Sequence, residues 1–394
     1  MAWLLFAALT VAAILSIAVD LDDGDSSEPA AQSSAQASAG LSAPNSESAD
    51  AGSPRSFTVA ATGELLIHES VADAARTSDG WDFTPMFASV APVLRQADLA
   101  VCHVESPMSP NNADLSYYPA FLVPNELAEA IAYAGYDTCS LASNHSTDAG
   151  RSGIAGTVGA LDRAGVSHAG MALSAEARDR VTLVPAGAAT VAHLSYTYGF
   201  NNGPLDDDEA HLSNVINEAV IIEEARRARA AGADFVMLSL HWGPNYTIRP
   251  DETQTDLGPR LLASAEIDLI LGHHAHVIQP IAEIGGEFLV YGLGNFLSNQ
   301  SPDTCSLCPV GVEDGMILHL TVSETVDGSW RASDVAYTPT WVDRSDFKIV
   351  DVSGDAASNT SGDAARDPEL LAASAARTAG ALSGLGTVIE TRRP

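Results

Sequence analysis

Residues 268–280 read DLILGHHAHVIQP, and the first half of this stretch decides the fold. Leu269, Ile270 and Leu271 form an unbroken apolar run, short enough for a strand and lacking the alternation of one that faces water. Such runs belong to strands covered on both faces, as in the layered α/β classes. The run stops at Gly272 and passes at once into His273, His274 and His276. In open α/β sheets, ligands bind beyond the carboxyl ends of the strands. Alternate residues of an extended segment share a face, so an H-x-H at such an end can turn two imidazoles toward one cation.

The same arrangement recurs along the chain. Residues 57–61 are β-rich and run into Thr62-Gly63-Glu64, with His68 four residues on. The segment DLAVCHV at 98–104 carries His103 and leads to Glu105. Residues 136–142 run into Ser143-Asn144-His145, with Asp148 just beyond, and DFVMLSL at 234–240 runs into His241. A lone His or Glu at a strand end is ordinarily a hydrogen-bonded or solvated residue, and His68 and His103 are read that way, with His68 kept as a possible ligand. Coincidence of five such ends predicts a metal centre built from Glu64, Glu105, Asn144, His241, His274 and His276. Carboxylates, imidazoles and an amide without cysteine suit Mn, Fe, Zn or Co, while several histidines disfavour a pure Mg or Ca site. A carboxylate in the middle of the set can bridge two divalent ions about 3.5–4 Å apart, and His145 beside them can serve as a proton donor to a leaving group.

Helical spacing separates these strands. It predicts helices over 125–134 and 153–164, closed by Gly135 and Gly165, a longer one over 213–231, and another over 257–265. A strand at 190–196, a hairpin of 276–284 with 287–291 turning on Gly285-Gly286, and strands at 315–322 and 330–338 complete the pattern. The class is α/β with a mixed sheet or two packed sheets. No GxGxxG follows a strand and no P-loop occurs, so nucleotide cofactors are not indicated.

Composition bounds the partners. Of 394 residues, 19 are Lys or Arg and 51 are Asp or Glu, for a net charge of −32, which disfavours nucleic acid and anionic lipid. An anionic substrate would then need bound cations to hold it. Residues 2–19 are apolar and uncharged, about long enough to cross a bilayer. Segment 1–19 therefore reads as an uncleaved anchor, with a cleaved signal segment as the alternative, and the bulk of the chain as extracytoplasmic or secreted. Residues 20–55, rich in Ser, Ala and Asp, read as a disordered linker. The folded unit is expected at 56–347, followed by a low-complexity tail over 348–394. Cys305 and Cys308 suit a local disulfide, and Cys102 and Cys139 read as buried small hydrophobes.

The stretches TGELLIH, CHVESPM, LASNHSTDAG, LDRAGVSHAG, LSLHWG, DLILGHHAHVIQP and YGLGNFL, spanning about 62–297, resemble in their order the CapA family of the calcineurin-like metallophosphoesterase superfamily. That resemblance implies a four-layer α/β/β/α sandwich with mixed sheets and two divalent metal ions. It implies Glu105 as the bridging carboxylate, Asn144, His241 and His274 on one ion, and His276 with Glu64 on the other. His145 becomes the catalytic histidine, oriented by Asp148. Glu64 departs from the family's usual Asp. Tyr117, Tyr118 and residues 196–198 are candidates to line a groove, residues 292–296 to wall the pocket, and Arg249 to hold a substrate anion. The implied function is a phosphoesterase-type hydrolase in capsule or poly-γ-glutamate synthesis, with an anionic cell-surface polymer or its precursor as partner. The alternatives are a non-catalytic assembly subunit working with membrane polymer synthase components, and a metal-dependent amide hydrolase.

Overall fold

The structure, a computed structural model, describes residues 55–354, 367–385 and 390–392. The expected anchor at 1–19 and all of the expected linker at 20–55 except Arg55 lie outside the described residues. Among the described residues no helix is long and apolar enough to cross a membrane.

The chain opens with β1 (Ser56–Leu65), the short helices α1 (Glu69–Ala74), α2 (Thr84–Phe87) and α3 (Ala91–Leu94), then β2 (Leu99–Val104), α4 (Leu127–Ala134), β3 (Thr138–Ser140), α5 (Gly150–Ala164) and β4 (Ser167–Ala169). It continues through α6 (Ala175–Arg178), β5 (Thr182–Ala186), β6 (Ala189–Thr197), α7 (Glu218–Ala230), β7 (Phe235–His241), α8 (Glu252–Ala263), β8 (Leu269–His273), β9 (Ile281–Ile284) and β10 (Glu287–Val290). The last elements are β11 (Asn295–Leu297), β12 (Asp314–Glu324), β13 (Trp330–Asp343), β14 (Lys348–Asp351), α9 (Pro368–Leu382) and β15 (Glu390–Thr391).

Two mixed sheets result. The first has the order β14-β13-β12-β1-β2-β3-β4, with β11 beside β1 and β15 beside β13; β1 to β4 are parallel and β12 to β14 antiparallel. The second has the order β5-β6-β7-β8-β10-β9, with a parallel centre and antiparallel edges. Three apolar interfaces join four layers. Phe57, Val59 and Ala61 of β1 pack against Phe235 and Met237 of β7 between the sheets. The intervening Ala60 instead joins Leu127 and Ile131 of α4, while Val236, Leu238 and Leu240 join Ile221 of α7 and Leu261 of α8. Each central strand is thus apolar on both faces of its pleat, which is why its sequence reads as a run rather than an alternation.

Helix ends follow local chemistry. Gly135 (φ 100°) and Gly165 (φ 75°) take the left-handed conformation that closes α4 and α5. The Asp251 carboxylate accepts from the Gln254 N–H, and the Gln254 side chain accepts from the Asp251 N–H, to start α8.

Several expectations are corrected. The helix expected over 213–231 begins only at Glu218, capped by Asn217, because residues around 213–215 pair with Met171 and Thr197 as bridges. The strand expected from 276 begins at Ile281, because His274 (φ 90°) and His276 (φ 56°) are left-handed. The low-complexity tail is also revised: β14 joins the first sheet, and α9 buries Leu371 and Leu382. Arg377 donates to both oxygens of Asp314 at 2.6 and 2.7 Å. Cys102 and Cys139 are not free hydrophobes: they face each other on adjacent strands and are disulfide-bonded, as are Cys305 and Cys308.

Candidate metal centre

The parallel strands of both sheets end at one edge, and the predicted ligands meet there. Glu64 is the penultimate residue of β1, Glu105 follows β2, Asn144 and His145 lie in the loop after β3, His241 ends β7, and His274 and His276 follow β8. All are buried, with Glu64 and Glu105 at 0% exposure. Glu105 is central: its Oε1 lies 3.8 Å from His241 Nε2 and 3.9 Å from His276 Nε2. Ligand atoms of Glu105, His274 and His276 all fall within 4.8 Å of one another. His241 Nε2 lies 2.8 Å from Asn144 Oδ1. Glu64 reaches the same loop, its Oε1 accepting the His274 N–H at 2.5 Å.

Buried groups normally find hydrogen-bond partners, and these do not. Both oxygens of Glu105, Oε2 of Glu64 and Nδ1 of His274 are buried without one. Burial pushes the Glu64 carboxyl up to about 8, against the opposing hydrogen bond from the His274 N–H. It holds Glu105 well above the usual range, helped by the negative charges of Glu64 and Asp148. Burial and the neighbouring imidazoles keep His241 and His276 well below their ordinary value, and burial lowers His274 to about 4. The short His–Glu105 separations therefore join neutral groups and are not ion pairs. Two buried carboxyls with no cationic side chain beside them among the described residues, ringed by neutral imidazoles, are a donor set that fits divalent cations.

Outer partners aim these ligands. Asn295 gives Nδ2 hydrogens to Val312 O at 2.9 Å and Gln300 Oε1 at 3.0 Å, so its Oδ1 must accept from His276 Nδ1 at 3.0 Å, and Nε2 is left with its lone pair facing Glu105. His241 Nδ1 lies 3.0 Å from His103 Nε2, and His103 Nδ1 lies 2.8 Å from Ser140 Oγ. Asn144 Nδ2 donates to Asn201 Oδ1 at 3.3 Å.

His145 and Asp148 form a pair beside the cluster. The His145 Nδ1–H meets Asp148 Oδ2 at 2.6 Å, and the same oxygen accepts the Phe121 N–H at 2.8 Å. The Phe121 ring stands edge-on to the imidazole at 4.7 Å, and Asn201 Nδ2 lies 3.3 Å from His145 Nε2.

The remaining sequence candidates divide. His68 does not join the ligand cluster; its Nδ1 sits 3.2 Å from the Leu66 carbonyl, and it lines a cleft of about 270 Å³ with Tyr117, Tyr118 and Asn299. Tyr198, half exposed, lies 4.7 Å ring to ring from His274, whereas Tyr196 is buried among the apolar residues under α7. Arg249 is exposed on the loop leading to α8 and makes no hydrogen bond or ion pair among the described residues. Sequence reasoning missed Asn201, and it placed residues 292–296 on the pocket wall without singling out Asn295. The available signal for Asn295 was an amide in a glycine-rich turn beyond a buried strand; Asn201 carried none.

A family profile described as bacterial capsule synthesis protein PGA_cap matches residues 58–300. The capsule biosynthesis protein CapA of Bacillus anthracis is 26% identical over 253 residues, covering 62% of this chain and 60% of that protein. The PGA biosynthesis protein CapA of Bacillus subtilis strain 168 is 28% identical over 228 residues, covering 55% and 57%. The match thus spans about 60% of the length of these curated relatives. Among solved structures, the calcineurin-like phosphoesterase YfkN from Bacillus subtilis is similar at a TM-score of 0.42 and 15% identity, over 83% of this chain and 98% of that one.

Proposed function

The chain belongs to the family described as bacterial capsule synthesis protein PGA_cap, and from that premise we propose that it is an extracytoplasmic, metal-dependent phosphoesterase-type hydrolase acting in the synthesis of a capsule or poly-γ-glutamate-like surface polymer. The observation that carries the reading is Glu105, whose two buried oxygens have no partner and stand between His241 and His276. Glu64, Glu105, Asn144, His241, His274 and His276 are the residues that would hold divalent cations there, with Glu105 at their centre. Cations held there would stabilise charge on phosphoryl oxygens and supply a nucleophile at neutral pH.

The chain's own residues do the rest. With Nδ1–H given to Asp148, His145 presents Nε2 as the atom that exchanges a proton with the leaving group. Asp148 holds that tautomer and is itself fixed by the Phe121 N–H. Phe121 covers one side of the imidazole and limits water there. A net charge of −32 makes cations the means of holding an anionic polymer precursor. Segment 1–19 would tether the domain to the membrane or be removed on secretion. Recovery of the native protein in the soluble cytoplasmic fraction would sink that location.

Elemental analysis and hydrolysis of a generic aryl phosphate with added Mn test the site. Glu105→Ala should lose bound metal. His145→Ala should keep it and lose about 10²- to 10⁴-fold in rate. A wild-type chain without metal, or turnover surviving in both variants, would overturn the assignment. One observation favours a second reading, a non-catalytic subunit of a membrane polymer synthase: the His274 N–H already occupies one oxygen of Glu64. Metal uptake with no turnover on phosphoesters or amides, and co-purification with membrane components, would select it.

A further inference from the structure

His103 had the look of an ordinary structural histidine, and its surroundings give it a more specific task. It sits on β2 with 0% exposure, and its ring lies 4.1 Å from that of His273 at an interplanar angle of 12°, which fixes its plane. Both ring nitrogens are engaged: Nε2 faces His241 Nδ1 at 3.0 Å, and Nδ1 faces Ser140 Oγ at 2.8 Å. The Ser140 hydroxyl has a further acceptor, the Cys102 carbonyl, at 3.3 Å.

We propose that His103 is a positioning residue for the metal centre, and that with Ser140 it fixes the tautomer in which His241 offers Nε2 to a cation. This rests on the reading of the cluster as a metal centre. A ligand nitrogen must present a lone pair, so when Nε2 of His241 binds, its hydrogen is on Nδ1. His103 Nε2 must then accept that hydrogen, and the hydrogen of the neutral His103 ring is on Nδ1. Ser140 Oγ accepts it and turns its own hydroxyl to the Cys102 carbonyl. Every donor in the chain has one acceptor, and each ring keeps one hydrogen.

Metal-bound histidines usually lean on a carboxylate, a carbonyl or water. An imidazole in that place adds no negative charge to a pocket that already buries Glu64 and Glu105. Strand register holds the relay: His103 is paired with Ser140, and the preceding pair, Cys102 and Cys139, is covalently joined. The disulfide faces the helices with the α4 core, whereas the relay faces the other sheet.

A built-in control exists. His193 on β6 is likewise buried with both ring nitrogens engaged, but by two hydroxyls, Thr138 Oγ1 at 2.9 Å and Ser239 Oγ at 3.0 Å, and by none of the ligand residues. A merely structural buried histidine would behave as His193 does.

The experiment is zinc binding by chelator competition, read with nitrogen NMR of the zinc-loaded, ¹⁵N-histidine-labelled full chain. His103 should appear protonated on Nδ1. His103→Phe should weaken zinc about 10- to 100-fold. His103→Gln, which retains an acceptor for His241, should recover most of the affinity. Ser140→Ala, a small change that tests the relay where His103→Phe fails to fold, should lower the affinity by less than His103→Phe does. His193→Phe should leave zinc binding near wild type whatever it does to stability. Zinc affinity unchanged in His103→Phe, or His103 protonated on Nε2 in the loaded protein, would overturn the proposal. A wild-type chain that takes up no zinc would instead sink the metal-centre reading itself.

Discussion

Asn295 decides the chemistry of His276 through its amide group. Its two N–H groups are committed to Val312 O and Gln300 Oε1, which leaves only oxygen for His276 Nδ1. Asn295→Ala removes that acceptor and lets the His276 ring turn, so cation affinity should fall about 10- to 100-fold, the range for partners behind a ligand. Asn295→Asp is the sharper test. A carboxylate still accepts from His276, but it cannot donate to Val312 O and it adds a buried acid on the segment paired with Glu64. Calorimetric titration with Zn or Mn should find it no better than Asn295→Ala. Affinity equal to wild type in Asn295→Asp would show that the amide's donors are unimportant. The ligand residues were legible in the sequence because a carboxylate or imidazole just past an apolar run is conspicuous. Asn295, Asn201 and the task of His103 were not, because each depends on which strand ends become neighbours.

At the scale of elements, the site exists because parallel strands of two sheets finish at one edge. The central strands β1, β2, β7 and β8 were legible from their apolar runs, as were the glycines that close α4 and α5. The short strands β4 and β5 were not, since SHA and TLVPA are only partly buried edge segments with weak patterns. The bond between Cys102 and Cys139 was hidden for a related reason: it follows from β2 and β3 being adjacent and in register. The loop after β8 departs from a regular strand because its own site demands it. Left-handed residues such as His274 and His276 cost about 1–3 kcal/mol each, and here the Glu64 carboxyl and the Tyr246 N–H hold the loop in place. The end of β1 is held equally closely. A Cβ on Gly63 would lie 1.7 Å from the Gly294 carbonyl oxygen, while the adjacent Glu64 N–H donates to that oxygen at 3.0 Å. Gly63→Ala must push β1 away from the 292–295 segment, at a cost of about 1–3 kcal/mol or more. Because Glu64 and Asn295 lie on the two segments forced apart, metal affinity should fall together with the denaturation midpoint. A Gly63→Ala protein with wild-type stability would contradict the close approach.

Across the whole molecule, buried titratable groups set opposite limits on stability. Burial lowers His68, His274 and His319 to about 4 and His193 and His273 to about 3, and it holds His103, His241 and His276 well below their ordinary value. Below the ordinary histidine value of 6.5 the unfolded chain takes up protons that the folded chain refuses, so stability falls as the pH drops toward about 4. The carboxyls act in the other direction. Glu64 keeps its proton in the folded chain up to about 8, whereas it ionises near 4.5 when unfolded. Between these values the folded state binds more protons, and stability falls as the pH rises, by about 1.4 kcal/mol per pH unit for each such group. Glu105 adds to this limb, and so does Glu287, which burial raises to about 7. Above 6.5 the histidine contribution is complete and the carboxyl limb stands alone. Chelator-treated protein should therefore have its highest melting temperature near pH 6.5 and lose stability toward pH 8. Added Mn or Zn should flatten that alkaline fall, because a cation replaces the proton on Glu64 and Glu105. Glu64→Gln, which cannot ionise, should flatten it in part without any cation. A melting temperature that climbs steadily to pH 8 in the chelated wild type would mean that these carboxyls are not held uncharged, and the electrostatic case for a cation between them would be lost.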